Sequence, residues 1–279
     1  MDIQQLTSMD VEDKVRLALR LMKAVNSVHP YCMAFSGGKD SIVMEYLSIE
    51  AGISVPKVHN CTTIDPPGTV SLCEKHHCEI KRSKLSFLDL VEQKGLPTMF
   101  RRFCCKELKE RYISDYLFVG VRRDESNKRS KFYTCFEDTY VFSKKVSTSR
   151  FMPLLFFTNS DIEWVVEKKS LEMHPIYYDE CGKFCVDKRL GCIGCPLQGD
   201  RGRSDFKVYP KLLKLIIERA VTYHLKHGRT RYDAYLNAVY NLFYSNNGYE
   251  KYLQAFQGLF EIDPKDILEE YFSITLPNY

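Results

Sequence analysis

The sequence predicts an α/β domain on a largely parallel sheet flanked by helices, with a helical C-terminal extension. Three observations carry this expectation. Short apolar strands alternate with helically periodic segments through most of the chain before residue 207. One strand–helix joint, Ser36-Gly37-Gly38-Lys39-Asp40-Ser41, is the glycine-containing turn expected at the carboxyl edge of such a sheet. After Lys207 the chain is aromatic and helically spaced ("YHLKHGRTRYDAYLNAVYNLFY") and carries no strand signal. Composition therefore divides the chain at residues 1–206 and 207–279.

The elements follow in order. Asp10–Asn26 puts Val15, Leu17, Leu19, Leu21, Met22 and Val25 at helical spacing behind Asp10, a good N-cap. Tyr31–Phe35 is a short apolar strand. Beyond the glycine turn, Ile42, Val43, Tyr46, Leu47 and Ile49 keep helical spacing until Gly52 stops it. "VPKVHNCTTIDPPG" reads as a second strand leaving into a loop at Pro66-Pro67-Gly68. Leu85–Val91 and Lys106–Ile113 carry helical signals. Asp115–Val121 is a third strand ending in the polar loop "RRDESNKR", and Ser160–Lys169 is a short helix with Asp161 near its start. Tyr177–Gly202 is rich in cysteine and glycine and has no periodicity.

Composition narrows the function. With 279 residues, 44% of them hydrophobic, a sizeable core is expected and global disorder is excluded. A net charge of +4 does not by itself call for nucleic acid. No apolar run reaches the roughly 18 residues of a membrane span, so a cytoplasmic protein with no membrane partner is expected. Eleven cysteines without a secretion signal point to metal ligation or thiol chemistry rather than a disulfide framework.

The glycine turn is built for an anion. Gly37 and Gly38 let the backbone approach without Cβ clashes, and a helix N-terminus supplies N–H groups and positive potential. Lys39 adds a point charge, Ser36 and Ser41 add hydroxyl donors, and Asp40 suits a cap or the magnesium side of a phosphate. An ordinary strand–helix turn is the plain alternative. The P-loop pattern fails, because Met33 stands where its first glycine is required. The turn resembles the SGGxDS loop of the PP-loop ATP pyrophosphatases. That resemblance implies ATP cleavage between the α and β phosphates and adenylation of an acceptor.

Two cysteine pairs stand out: Cys104-Cys105 in "RRFCCKELK" and Cys192-x-x-Cys195 in "RLGCIGCP". The second has metal-knuckle form, with Gly191 and Gly194 permitting tight turns. Structural zinc and buried free thiols are the alternatives. The four cysteines, with "VGVRRDESNKR", "TTIDPP" and "LLFFTNSDIEWVV", resemble the iron–sulfur members of the phosphoadenosine phosphosulfate reductase family. The resemblance implies an adenine nucleotide alpha-hydrolase-like fold and a [4Fe-4S] cluster on Cys104, Cys105, Cys192 and Cys195. It implies ATP and Mg2+ at Ser36–Ser41, with Asp65 helping magnesium. It gives Lys39, Asp40 and Asp65 the catalytic roles, and leaves the remaining phosphates or the acceptor to Arg122, Arg123 and Arg129.

Two departures shape the expected reaction. The reductases usually carry a degraded phosphate loop, whereas Ser36–Ser41 is intact. They also use a C-terminal cysteine as nucleophile, whereas no cysteine follows Cys195. The combination resembles ATP-using sulfur-transfer members, such as the DNA phosphorothioation proteins. A nucleotide, a sulfur donor such as a cysteine desulfurase and a nucleic-acid acceptor are the partners this implies. A sulfonucleotide reductase and a nucleotide-binding subunit of a DNA-modifying or defence complex are the rivals. The aromatic C-terminal helices are expected to be core or a homodimer surface. Cys181 and Cys185 are read as a persulfide relay or incidental loop cysteines.

Overall fold

A computed structural model describes residues 3–126, 134–141, 146–243 and 263–277. The chain forms two compact units, interleaved along the sequence. Unit 1 comprises Met1–Cys61, Pro66–Arg82 and Glu110–Gly191; unit 2 comprises Thr62–Asp65, Ser83–Lys109 and Cys192–Tyr279.

Unit 1 opens with helices α1 (Ile3–Ser8) and α2 (Val11–Val28). The Asp10 carboxylate accepts the Glu12 N–H at 2.8 Å and caps α2 as expected. Strand β1 (Cys32–Ala34) then feeds α3 (Lys39–Glu50) through the glycine turn. Ile42, Val43, Met44 and Leu47 are buried in α3, and so are Ser41, Glu45 and Ser48. A helix covered on nearly every side lies deep in its unit. There follow β2 (Lys57–Asn60), α4 (Thr69–Lys75), β3 (Glu79–Lys81), and, after an excursion into unit 2, β4 (Tyr116–Phe118). Strands β5 (Phe136–Val141) and β6 (Val146–Phe151) precede the helix that spans Asn159–Lys168.

The sheet order is β3-β2-β1-β4-β6-β5. All neighbours pair in parallel except β5, which runs antiparallel to β6 at the edge. The mostly parallel expectation holds. The edge hairpin is a finding, because Glu137, Asp138 and Thr139 dilute its alternation to a half-exposed pattern with little apolar signal. Successive strands β1, β2 and β3 run one way across the sheet and β4 lies on the other side of β1. The carboxyl end of β1 is thus a topological switch point, where open α/β sheets bind ligands.

Unit 2 is helical. It holds α5 (Phe87–Lys94), and we number the unit 1 helix Asn159–Lys168 α6. Among the described residues unit 2 also holds α7 (Asp200–Val208), α8 (Pro210–Lys226), α9 (Arg231–Phe243) and α10 (Pro264–Phe272). Its own core runs from Phe87, Leu90 and Val91 to Leu213, Ile217, Val239 and Leu268. The C-terminal helices expected after residue 206 therefore share this unit with three earlier segments. The helix expected over Lys106–Ile113 is replaced by a π-helical turn at Cys105–Lys109. Beyond it the Arg111 guanidinium donates to the Lys81 and Arg82 carbonyls at 2.7 and 3.1 Å, which draws the chain out of the helix and into unit 1. No helix among the described residues is long and apolar enough to cross a membrane.

Candidate functional site

The glycine turn leaves the end of β1 with Gly37 at φ +73°, a left-handed conformation that glycine adopts without strain. A Cβ there would sit 3.4 Å from Cys73 Sγ, and one on Gly38 would sit 3.3 Å from the Tyr177 hydroxyl. The turn is therefore packed close on its inner side. The Tyr177 oxygen accepts the backbone N–H groups of Lys39 and Leu190, both at 3.2 Å. Tyr177 is 2% exposed and fixes where the turn meets α3. Ser36 Oγ accepts the Gly38 N–H at 3.3 Å and lies 3.3 Å from Ser41 Oγ, which donates to the Gly38 carbonyl at 2.8 Å.

Lys39 is 4% exposed, and its ammonium lies 3.4 Å from the Lys188 carbonyl and 3.9 Å from Asp40 Oδ2. Burial pushes its pKa down from the ordinary lysine value, and the Asp40 charge opposes that in part. A cation short of solvent beside a helix N-terminus has strong reason to take an anion.

Arg122, expected to hold phosphate or the acceptor, is engaged by the protein itself. It is 2% exposed, and its Nε donates to Asp40 Oδ1 at 2.6 Å. Its two terminal nitrogens donate to the Phe157 carbonyl at 3.3 Å and Asn159 Oδ1 at 2.8 Å, with Asp124 3.6 Å away. Every guanidinium nitrogen is engaged within unit 1. Arg122 therefore orients Asp40 and ties the end of β4 to the start of α3. Gly120 makes the approach feasible, since a Cβ there would lie 3.2 Å from Asp40 Cβ. Arg123 is half-buried in the following short turn, and Arg129 lies outside the described residues.

Asp65 belongs to unit 2, whereas Lys39 and Asp40 belong to unit 1. Its two carboxylate oxygens accept the Thr62 N–H at 2.8 Å and the Thr62 hydroxyl at 2.7 Å. The Cys192 thiol in turn donates to Thr62 Oγ1 at 3.5 Å. The "TTID" loop thus braces the knuckle, a role that the sequence reading did not give it.

All four candidate ligand cysteines lie in unit 2. Cys104 and Cys105 stand at the start of the π-helical turn, a rare geometry that accumulates at functional sites. The Cys105 side chain hydrogen-bonds Cys104 and, with burial, pushes the Cys104 thiol up; charge on Cys105, Cys192 or Cys195 would raise it further. Burial pushes Cys192 up to about 11 and raises Cys195, while Lys109 pulls both back. The four thiols therefore occupy one electrostatic neighbourhood. The donor set fits an iron–sulfur cluster in type and number, and it fits zinc in the same respects. Among the described residues no group of three or more His, Cys, Asp or Glu side chains is arranged to hold a single metal ion.

The knuckle is held from outside by close glycine contacts. Gly194, at φ +70°, faces Phe206 where a Cβ would be 2.0 Å from the ring, and its N–H donates to Asp205 at 3.1 Å. A Cβ on Gly202 would be 2.2 Å from the Cys195 carbonyl oxygen. Cys181 is exposed at the tip of a small hairpin, and Cys185 is half-buried on its returning arm. Tyr177, Thr62 and Asn159 are contacts at the candidate site that the sequence reading did not single out, because each acts through a partner distant in the chain.

A family model described as the phosphoadenosine phosphosulfate reductase domain matches residues 30–198. An uncharacterized protein of Methanocaldococcus jannaschii is 26% identical over 220 residues, 71% of this chain and 44% of that protein. The chain thus spans less than half the length of the curated relative it matches. Phosphoadenylyl-sulfate (PAPS) reductase from Candida auris superposes at a TM-score of 0.42 and 11% identity, over 61% of this chain and 85% of that one. The U34-tRNA thiolase NcsA from Methanococcus maripaludis, with its [4Fe-4S] cluster, superposes at 0.38 and 17% identity, over 79% and 80%. Yeast FAD synthetase superposes at 0.40 and 15% identity, over 63% and 67%. All three are loose likenesses.

Proposed function

Because this chain belongs to the phosphoadenosine phosphosulfate reductase domain family, we propose that it is an ATP pyrophosphatase that adenylates an acceptor for sulfur transfer. The observation that carries the reading is the intact Ser36–Ser41 turn at the sheet's switch point, with the desolvated Lys39 ammonium behind it. A sulfonucleotide, with one sulfate in place of the β and γ phosphates, gives such a turn fewer oxygens and less charge to hold.

The Gly38 and Lys39 N–H groups are engaged by Ser36 Oγ and the Tyr177 oxygen, so the Gly37 and Asp40 N–H groups take the β and γ phosphate oxygens, and Lys39 neutralises their charge. Arg122 occupies Asp40 Oδ1, and Oδ2, 3.9 Å from the Lys39 ammonium, would be the carboxylate oxygen open to a magnesium ion, which would offset the phosphate charge. An acceptor oxygen attacks the α-phosphorus, the α–β bond breaks, and pyrophosphate departs held by the turn. A sulfur nucleophile then attacks the activated carbon, and AMP leaves with the bonding electrons. Cys104, Cys105, Cys192 and Cys195 would hold a [4Fe-4S] cluster, which when bound supplies a surface where sulfur is kept for delivery. The sulfur nucleophile is hydrosulfide, or the outer sulfur of a persulfide donor such as a cysteine desulfurase with a thiol reductant that then cleaves the S–S bond and leaves as a disulfide; a nucleic-acid acceptor completes the proposal.

The test is anaerobic incubation of the full chain with ATP, Mg2+, sulfide and bulk tRNA or DNA, followed by phosphorus NMR of the nucleotide products. AMP and pyrophosphate are expected. Sulfite released from a sulfonucleotide with thioredoxin, and no pyrophosphate from ATP, would favour the reductase reading.

A further inference from the structure

Beside the knuckle, unit 2 contains a buried arginine that its surroundings do not satisfy. Arg203 lies in the first turns of α7 and is 8% exposed. One terminal nitrogen pairs with Asp200, whose carboxylate is largely in water. Its Nε and its other terminal nitrogen are buried and have no hydrogen-bond partner. The guanidinium lies 5.1 Å from the Phe243 ring centre and 5.6 Å from that of Tyr271. Such aromatic contact stabilises the cation but gives the in-plane N–H groups no acceptor. A buried donor without an acceptor bears its desolvation cost with no return, and native structures rarely leave one so.

Arg203 lines a cleft whose walls include Cys195, Pro196, Gly199, Phe206 and Asn241. The cleft volume is about 30 Å³, room for one or two water-sized groups. Among the described residues no carboxylate lines it. A buried guanidinium with unused donors and a small cavity match one ligand class. We propose that Arg203 and this cleft bind a small inorganic monoanion of chloride size, which joins α7 to the Cys195 side of the knuckle. Room for one or two water-sized groups favours a monatomic ion over phosphate or sulfate. The close approach of Gly202 to the Cys195 carbonyl already presses the same turn of α7 on the knuckle, so an anion at Arg203 would reinforce an existing contact.

The probe is bromide, in a sodium gluconate background with the full chain. Wild type should show a thermal midpoint that rises with bromide and saturates in the millimolar range. A bromide-soaked crystal should show an anomalous peak within hydrogen-bonding distance of Arg203 Nε or its free terminal nitrogen. Arg203→Met should abolish the saturable rise. Arg203→Lys, which keeps a charge but loses the planar donors, should weaken it at least tenfold and covers the case in which the methionine variant fails to fold. A water without anomalous signal at that position, or a saturable rise that survives in Arg203→Lys at wild-type affinity, would overturn the proposal. Sodium sulfate at equal ionic strength should give no saturable rise; if it does, the size argument is wrong. Neither iron content nor pyrophosphate release enters these readouts, so the result is independent of the ATP reading.

Discussion

Arg122 and Lys39 are two buried cations in one unit, and they have opposite status. Arg122 is fully partnered, and removing it would leave Asp40 without its 2.6 Å partner. Breaking a buried pair from one side typically costs about 3–5 kcal/mol. Arg122→Ala should therefore lower urea-unfolding stability by that order in the absence of any nucleotide. Unchanged stability would return Arg122 to the role of a phosphate ligand. Lys39 is the reverse case, since burial depresses its pKa below 10.5. Where a lysine's folded pKa is the lower one, the unfolded chain binds more protons between the two values, and stability rises with pH there. The cost of burying the charge is fully present below the folded value and is relieved as pH climbs to the unfolded one. Lys39→Met should accordingly unfold at higher urea than wild type near neutral pH, and the gap should close as pH approaches 10.5. The same variant should lose roughly ten- to hundredfold in pyrophosphate release, about 1.5–3 kcal/mol of charged contact. A variant less stable than wild type at pH 7 would mean that Lys39 is structural.

Among the elements, α7 carries the sharpest conflict between local preference and packing. Alanine is better than glycine inside a helix by about 1 kcal/mol, so Gly202→Ala should stabilise α7 taken alone. In the folded unit the added Cβ would meet the Cys195 carbonyl oxygen at 2.2 Å, and a backbone atom cannot swing aside. Overpacking of this kind costs about 1–3 kcal/mol. Gly202→Ala should therefore show a net loss of stability in urea unfolding together with reduced metal content after anaerobic reconstitution. Equal stability and full metal content would mean that the knuckle is free to shift. The turn between β1 and α3 shows the same principle without conflict. Gly37 supplies the positive φ, and Tyr177 holds the first helical N–H from a distant part of the chain.

On the scale of the whole molecule, the glycine turn and the cysteine set belong to different compact units. Metal loading and nucleotide handling should therefore respond to different substitutions. Anaerobically purified protein should contain about four irons per chain, the content of one four-thiolate cubane. Cys192→Ala should lose that iron, and Lys39→Met should retain it. One zinc and no iron after reconstitution would replace the cluster with a structural zinc site. Equal iron loss in both variants would show that the turn supports the cysteine unit and is not a separate nucleotide site.

The sequence by itself determined the elements whose signals are local. The Asp10 cap, the β1–glycine turn–α3 joint and the apolar spacing of α8 and α9 each follow from neighbouring residues, because helix periodicity and turn chemistry act over a few positions. The cysteine pairs were legible for the same reason, as was the parallel sheet from alternating elements. Tertiary structure alone decided the partners. Arg122 was legible as an anion contact from its place after a strand, yet its acceptor Asp40 lies 82 residues away and no local pattern encodes that distance. The assignment of Thr62–Asp65 to unit 2, the bracing of Cys192 by Thr62 and the clamp of Tyr177 on Lys39 arise the same way. The edge hairpin of β5 and β6 was hidden because a half-exposed edge tolerates charged residues that erase the strand signal. Arg203 gave no sign in sequence, since an arginine three residues after Asp200 reads as a solvated helix pair. Only the packing of α7 against Phe243 and Tyr271 removed it from water.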